Sequence, residues 1–354
     1  MSKHDLASVH VRASVWPRCD LACSYCPVEE GMENRTPPHL ATRDQRLSAE
    51  AYLENLAAIA AQGVGGVSFT GGEPTLRPDL ESLLAGARPL FDRVELTTNG
   101  ARLSRFATAV RDHVDLLKVS LDAVDPDRVA RITGRRHGYA QAVAAIEWAV
   151  AHGVPLGINT VLMRSTADEL DATIRFAREL TRRASAPVYL SLLDFYYTPS
   201  RRDLWLEEFL PVNDVLDRLS ATFGVPVEQD RFGCRFWWFD ADGLQVRVKD
   251  SWSATMRAPK CRDCPVYCQE GVYGIKHSAE GWVTTCPTDR PDHGLHLPTD
   301  LASGERRRRA AMVLDDVAAA VAVPDSFARM IEAHRLEPGG VVDQTTASAV
   351  YAGD

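Results

Sequence analysis

Over the first two thirds of the chain, short apolar runs rich in β-branched residues alternate with stretches of helical period. The extended runs fall at 9–15, 66–70, 94–98, 116–121, 156–163 and 188–193. The helical patterns between them fall at 48–61, 78–87, 104–112, 140–151 and 167–180. Strict alternation of the two periods predicts parallel strands joined by crossover helices. Six such units predict an α/β fold, a partial (β/α)6 TIM-type barrel with right-handed crossovers and its chemistry on the loops at the C-terminal strand ends.

The pattern changes after residue 222. Residues 234–248 read as a hairpin, with Asp242-Gly243 at its turn, and Trp237 and Trp238 read as hairpin packing. A helix is expected over 301–317, its Arg306–Arg309 run a solvated face, and the tail after 336 reads as mobile. The expected division is 1–222 barrel, 223–300 cysteine-rich extension and 301–354 helical tail.

Charge and length narrow the setting. A net charge of −8 over 354 residues argues against a nucleic-acid-binding surface. No apolar run approaches the ~18–20 residues that span a bilayer. The polar start is unlike a signal peptide, so no membrane association and a cytoplasmic location are expected.

The eight cysteines fall into two groups, 19/23/26 and 234/261/264/268/286, which suggests two metal sites. Cys19, Cys23 and Cys26 form C-x3-C-x2-C directly after the first strand, on the barrel's functional rim. Three is odd, which defeats a disulfide reading, and no further Cys or His follows until His39, which disfavours zinc. Three thiolates in one loop can hold three irons of a cubane and leave the fourth open to a small molecule.

That loop, with Tyr25 before its last cysteine, resembles the cluster loop of radical S-adenosylmethionine (SAM) enzymes. The resemblance implies a [4Fe-4S] cluster whose open iron chelates SAM, and a 5′-deoxyadenosyl radical that abstracts hydrogen from substrate. About 45 residues on, Thr70-Gly71-Gly72-Glu73-Pro74 resembles the family's GGEP turn. By the same likeness Tyr25, Gly72 and Glu73 would serve SAM, with Glu73 at its methionyl amine. Ser120 would face SAM, and Asn159 and Met163 would lie near the adenosine, although a lone Ser or Asn is as often a local cap.

Residues 9 to about 165 are similar to the MoaA-like GTP cyclases of molybdenum-cofactor synthesis. The supporting stretches include Arg12 before Cys19, Thr70–Leu80, Leu96-Thr-Thr-Asn-Gly100 and Val119–Pro126 with Ile132-Thr-Gly-Arg135. In the second group, 12 residues separate Cys268 from Gly281 and four separate Gly281 from Cys286. This spacing resembles the SPASM/Twitch auxiliary-cluster hairpin. It implies a second [4Fe-4S] cluster on Cys261, Cys264, Cys268 and Cys286, held by three or four of them. Structural zinc on the same four is the competing reading. Cys234 either substitutes as a ligand or is a buried, inert thiol.

The departures from the cyclase bear on substrate. Ser68 or Phe69 stands where one Arg is expected, Gly157 where a Lys is expected and Gly274 where another Arg is expected, and Lys276 alone remains of a basic cluster. Arg12 is kept. Without those contacts GTP recognition is not expected. Arg12 and Lys276 are the candidate substrate contacts, and a sugar or nucleoside of lower charge is the expected substrate. The best reading is decarboxylation of a nucleoside sugar acid, like cytosylglucuronic acid, in antibiotic metabolism. A sugar or aminocyclitol dehydrogenase and a ribosomal-peptide maturase are the alternatives. A flavodoxin- or ferredoxin-type donor would supply electrons. Tyr196 and Tyr197 are candidates to line the pocket, and His293 and His296 are expected to ligate nothing.

Overall fold

The computed structural model describes residues 6–26, 46–231, 234–251, 254–262, 264, 267–286, 294–324 and 326–337. Six parallel strands form in the predicted places: β1 (His10–Trp16), β2 (Gly66–Gly71), β3 (Arg93–Thr98), β4 (Leu116–Ser120), β5 (Leu156–Val161) and β6 (Val188–Leu193). Between them lie α1 (Ala49–Ala60), α2 (Leu80–Ala87), α3 (Ala107–His113), α4 (Pro126–Thr133), α5 (Gly138–Ala151) and α6 (Leu170–Arg183). The fold class is as expected, an α/β partial barrel.

Between the barrel strands one helix was not expected, α4. Its signals are local: Asp125 caps the amides of Asp127 and Arg128, Pro126 occupies the first turn and Gly134 ends it at φ 64°. Two further unexpected helices, α7 (Arg202–Glu208) and α8 (Val212–Phe223), follow β6.

The extension's strands are β7 (Val227–Arg231), β8 (Cys234–Ala241), β9 (Leu244–Asp250), β10 (Ala254–Arg257), β11 (Ile275–His277), β12 (Trp282–Thr284) and β13 (Gly294–His296). Apart from β10, they join the barrel sheet and form no separate one. The predicted hairpin is β8–β9, with Asp242 and Gly243 both at positive φ as a two-residue turn requires. β9 pairs parallel to β6 at one edge and β11 pairs parallel to β1 at the other. A single 12-stranded sheet results, in the order β13-β12-β11-β1-β2-β3-β4-β5-β6-β9-β8-β7.

Side-chain parity divides this curved sheet. Val11, Val67, Leu96, Val119, Ile158, Leu190 and Val246 belong to the apolar core. Their neighbours on the other face, Arg12, Ser68, Glu95, Lys118, Asn159 and Arg247, line a cavity of about 260 Å³. A closed barrel of this type fills its lumen with branched apolar side chains. Here polar and charged side chains enter the lumen among apolar ones.

The C-terminal part continues through α9 (Ser303–Ala318), β14 (Val321–Pro324), paired antiparallel to β10, and α10 (Ser326–His334). The solvated face expected for Arg306–Arg309 is only partly so. Arg306 is buried, donating to Asn55 and to the carbonyls of Pro298, Thr299 and Leu301, and it pairs with Glu54. It fastens α9 to α1 and to the turn before α9. The tail after residue 337 and His293 lie outside the described residues, and no described helix is long and apolar enough to cross a membrane.

Candidate active site

The cysteine loop leaves β1 and is pinned from two sides. Gly72 N donates to Trp16 O at 2.7 Å and Glu73 N to Arg18 O at 2.8 Å. On the other side, Ala22 N and Ser24 N donate to the carbonyls of Thr133 and Ile132, at the end of α4. The glycines of the turn are thereby explained. A Cβ on Gly71 would stand 2.4 Å from Trp16 O, and one on Gly72 would stand 2.4 Å from the Arg18 carbonyl. What approaches this turn is the cysteine loop's own backbone.

Glu73 is buried, and its carboxylate accepts from Thr75 N (3.0 Å), Thr75 Oγ1, Thr98 Oγ1 (2.6 Å) and Asn99 N (2.7 Å). Burial raises its pKa, and these donors act against that rise. The geometry makes Glu73 the knot that ties the ends of β2 and β3. Arg77 is also fully buried, donating to the carbonyls of Val15 and Leu47 and bonding Asp79.

Polar side chains that sequence reading did not single out surround the thiols. Asn99 Nδ2 lies 3.5 Å from Cys19 Sγ and 2.8 Å from Asp20 Oδ1, and Gln141 Nε2 reaches both Asp20 and Asn99. Leu21 N also donates to Cys19 Sγ, at 3.4 Å. Tyr25 is held through its hydroxyl by Asp122 and edge-on by Phe195. Burial, the Asp122 charge and the neighbouring thiols push the Cys23 thiol well up. Such thiols keep their protons until a metal displaces them. Three close thiols with N–H donors aimed at one sulfur fit a cubane.

The SAM-side candidates on the strands are adjacent. Ser120 pairs with Asn159 across β4 and β5, and Asn159 lines the cavity with a buried Oδ1 that has no partner. Met163, beyond the end of β5, packs instead in an aromatic cluster with Phe195, Tyr197, Trp205 and Phe209.

The second cysteine group gathers around Arg257. Its Nη1 lies 3.1 Å from Cys268 Sγ and its Nη2 2.6 Å from Cys268 O, with the guanidinium 4.1 Å from the Tyr267 ring centroid. Cys286 is close enough to Cys268 and Cys261 to raise the pKa of each, and Cys264 N meets Cys261 O at 3.4 Å. The Tyr196 hydroxyl is buried without a partner and lies in the field of Cys268 and Cys286. That orphaned donor fits a sulfur-rich group beside it. Among the described residues, no three His, Cys, Asp or Glu converge tightly enough for a single metal ion. Cys234 is not with this group; it lines the lumen near Lys249, its thiol pushed up to about 12 by burial. His296 stacks on Trp282 and meets Glu280 O at 2.9 Å. Tyr197 packs against Trp205 and His334.

Arg12 and Lys276 are register partners on β1 and β11, and both line the lumen. Arg12 Nη1 donates to the Tyr273 hydroxyl at 3.1 Å. Lys249 pairs with Glu270 and sits over the Tyr273 ring, so β9 is latched across the barrel's gap to the segment that leads into β11. Three more lumen cations, Lys118, Arg247 and Lys249, come from β4 and β9. The cyclase motif positions do not include them, so a reading from those positions undercounts the basic groups. At Gly157, the Tyr189 ring fills the place of a side chain, 2.7 Å from where a Cβ would stand.

A Radical SAM superfamily profile matches residues 13–177. The GTP 3′,8-cyclase of Pelotomaculum thermopropionicum is 29% identical over 320 residues, covering 87% of this chain and 90% of that one. The GTP 3′,8-cyclase of Synechococcus elongatus is 30% identical over 234 residues, covering 64% and 67%. The chain spans 34% of the longer Molybdenum cofactor biosynthesis protein 1 of Drosophila melanogaster, at 33% identity over 205 residues. Streptococcus suis SuiB shares the fold, with a TM-score of 0.53 bound to S-adenosylmethionine and 0.52 bound to precursor peptide SuiA. The identity is 15% in both, over 78–79% of this chain and 60% of that one. A parallel barrel with its three-cysteine loop seated on the Gly71–Glu73 turn agrees with these matches: the chain belongs to the radical SAM superfamily, whose members bind SAM at a [4Fe-4S] cluster.

Proposed function

We propose that the chain uses this radical chemistry on a small anionic sugar or nucleoside held in the barrel lumen, and that the reaction is decarboxylation of a nucleoside sugar acid. The supporting observation is the cavity itself. Its wall includes Thr70, Thr97 and Asn159 below the cysteine loop, and Gly271 and Thr285 beside Cys268 and Cys286. Arg12 and Lys276 stand side by side on that wall and favour an anion.

Cys19, Cys23 and Cys26 would hold the cluster and Cys261, Cys264, Cys268 and Cys286 a second one. Gly72, Glu73, Tyr25, Ser120 and Asn159 would shape the SAM site. The bound cluster and SAM supply one-electron cleavage of SAM to a 5′-deoxyadenosyl radical. A hydrogen atom would leave the sugar carbon next to the one that bears the carboxylate and become part of 5′-deoxyadenosine. Carbon dioxide would then leave, its bonding pair staying on the sugar, and one electron and two protons would complete the product. A flavodoxin- or ferredoxin-type protein is the proposed electron source. The chain's residues hold the carboxylate and shield the radical from water.

A peptide substrate is the second reading, favoured by the likeness to SuiB. A cavity of only about 260 Å³ favours the small molecule. The test is SAM cleavage by the reconstituted enzyme with and without cytosylglucuronic acid, following carbon dioxide release. Stimulated cleavage with stoichiometric carbon dioxide is expected. Equal cleavage with and without the acid rejects the decarboxylase.

A further inference from the structure

Among the described residues, two cations of the lumen are held in ion pairs and two more lie near a carboxylate. Lys118 pairs with Glu95, and Lys249 with Glu270 and, at 3.9 Å, Asp194. Arg12 and Lys276 lie in the field of Glu270. Arg247, among the described residues, has no carboxylate partner. Its Nε and Nη2 both donate to the Ser191 hydroxyl, at 3.2 and 2.7 Å.

Its setting is built rather than loose. The guanidinium carbon lies 4.7 Å from the Phe236 ring centroid, 5.1 Å from that of Tyr189 and 5.7 Å from that of Trp238. Three aromatic rings restrain the fork and shield part of it from water. Strand register then sets Arg247 at the end of a polar row. It pairs with Ser191, Ser191 with Asn159, and Asn159 with Ser120. In the same row the Asn159 Oδ1 is a buried acceptor with no donor. A fixed guanidinium with a spare donor edge, a cavity in front of it and no counter-charge is complementary to an oxyanion.

We propose that Arg247 is the specificity residue of the lumen, taking the carboxylate of the substrate at the end of the row that Asn159 shares with the SAM side. This deepens the reading of the lumen as a site for a small anion and rests on it. Arg12 and Lys276, which share the field of Glu270 with Lys249, would supply field rather than the direct contact.

Calorimetric titration of the reconstituted enzyme with uridine-5′-carboxylate, uridine monophosphate and uridine separates the cases. Wild type is expected to bind the carboxylate roughly 10- to 100-fold more tightly than uridine, the range of one charge-assisted contact. Arg247→Gln should bind both equally, while circular dichroism shows the same fold and uridine still binds. Arg247→Lys should recover only part of the preference, because an ammonium lacks the fork. If the monophosphate carries the preference and loses it in Arg247→Gln, the oxyanion is a phosphate and Arg247 still holds it. A preference that survives in Arg247→Gln but disappears in Arg12→Gln overturns the role of Arg247 and leaves the anion site standing. No preference for either anion in wild type overturns both.

Discussion

The Tyr25 hydroxyl donates to Asp122 Oδ2 at 2.8 Å and so ties the residue before the last loop cysteine to the end of β4. The other Asp122 oxygen accepts from Val161 N at 3.0 Å. Burial raises the Asp122 pKa, so its charge depends on these two donors. Tyr25→Phe should cost about 1–3 kcal/mol in denaturant unfolding and weaken retention of iron. An unchanged midpoint and iron content would show that the bond is dispensable.

Gly72 has no room for a side chain, because a Cβ there meets the Arg18 carbonyl at 2.4 Å. Backbone cannot yield as a flexible side chain can. Gly72→Ala should unseat the cysteine loop while the barrel stays folded. Circular dichroism should hold, and iron should fall by about four per chain, one cubane. Full iron with SAM cleavage intact would refute this account of the glycine.

Arg257 is the corresponding fastening of the second group, bonded to both the sulfur and the carbonyl of Cys268. Arg257→Met removes two charge-assisted donors and the cation that lowers the Cys268 pKa against burial. Loss of about four irons is expected, with the SAM-binding cluster and substrate-free SAM cleavage kept. Loss of both clusters, or of neither, would contradict the independence of the two sites.

His277 is fully buried against Tyr52, with ring centroids 4.1 Å apart and neither ring nitrogen hydrogen-bonded. Burial pushes its pKa down from 6.5 to about 3. Between those values the unfolded chain binds a proton that the folded chain refuses, so stability falls as pH falls from 6.5 toward 3. The slope should be about 1.4 kcal/mol per pH unit. His277→Leu should remove that slope, measured as the difference in unfolding free energy between pH 5.5 and 4.5. Parallel profiles for the two proteins would show that His277 does not titrate in this way.

The two cysteine groups, the glycine turn and the six strand–helix units were legible because each is written in contiguous residues. Period, capping and spacing need no knowledge of the rest of the chain. The α4 helix was equally legible from Asp125, Pro126 and Gly134, and only a motif-centred reading passed over it. The buried roles of Arg77, Arg257 and Arg306 were not legible. Each depends on carbonyls or sulfurs brought near by other elements, and an arginine on its own reads as surface.

The chain's local patterns alone thus determined a parallel barrel, a rim loop able to hold a cluster, and a second cysteine-rich segment. Tertiary structure decided what those parts enclose. Pairing of β9 with β6 and of β11 with β1 brought Arg247, Lys249 and Lys276 into the lumen, from positions 53 or more residues beyond the nearest of those barrel strands. It also set Ser120, Asn159, Ser191 and Arg247 in one row. Alternation along a strand says which side chains share a face, but register across strands says which of them meet. Register is fixed by packing between distant segments, which no single stretch of sequence contains.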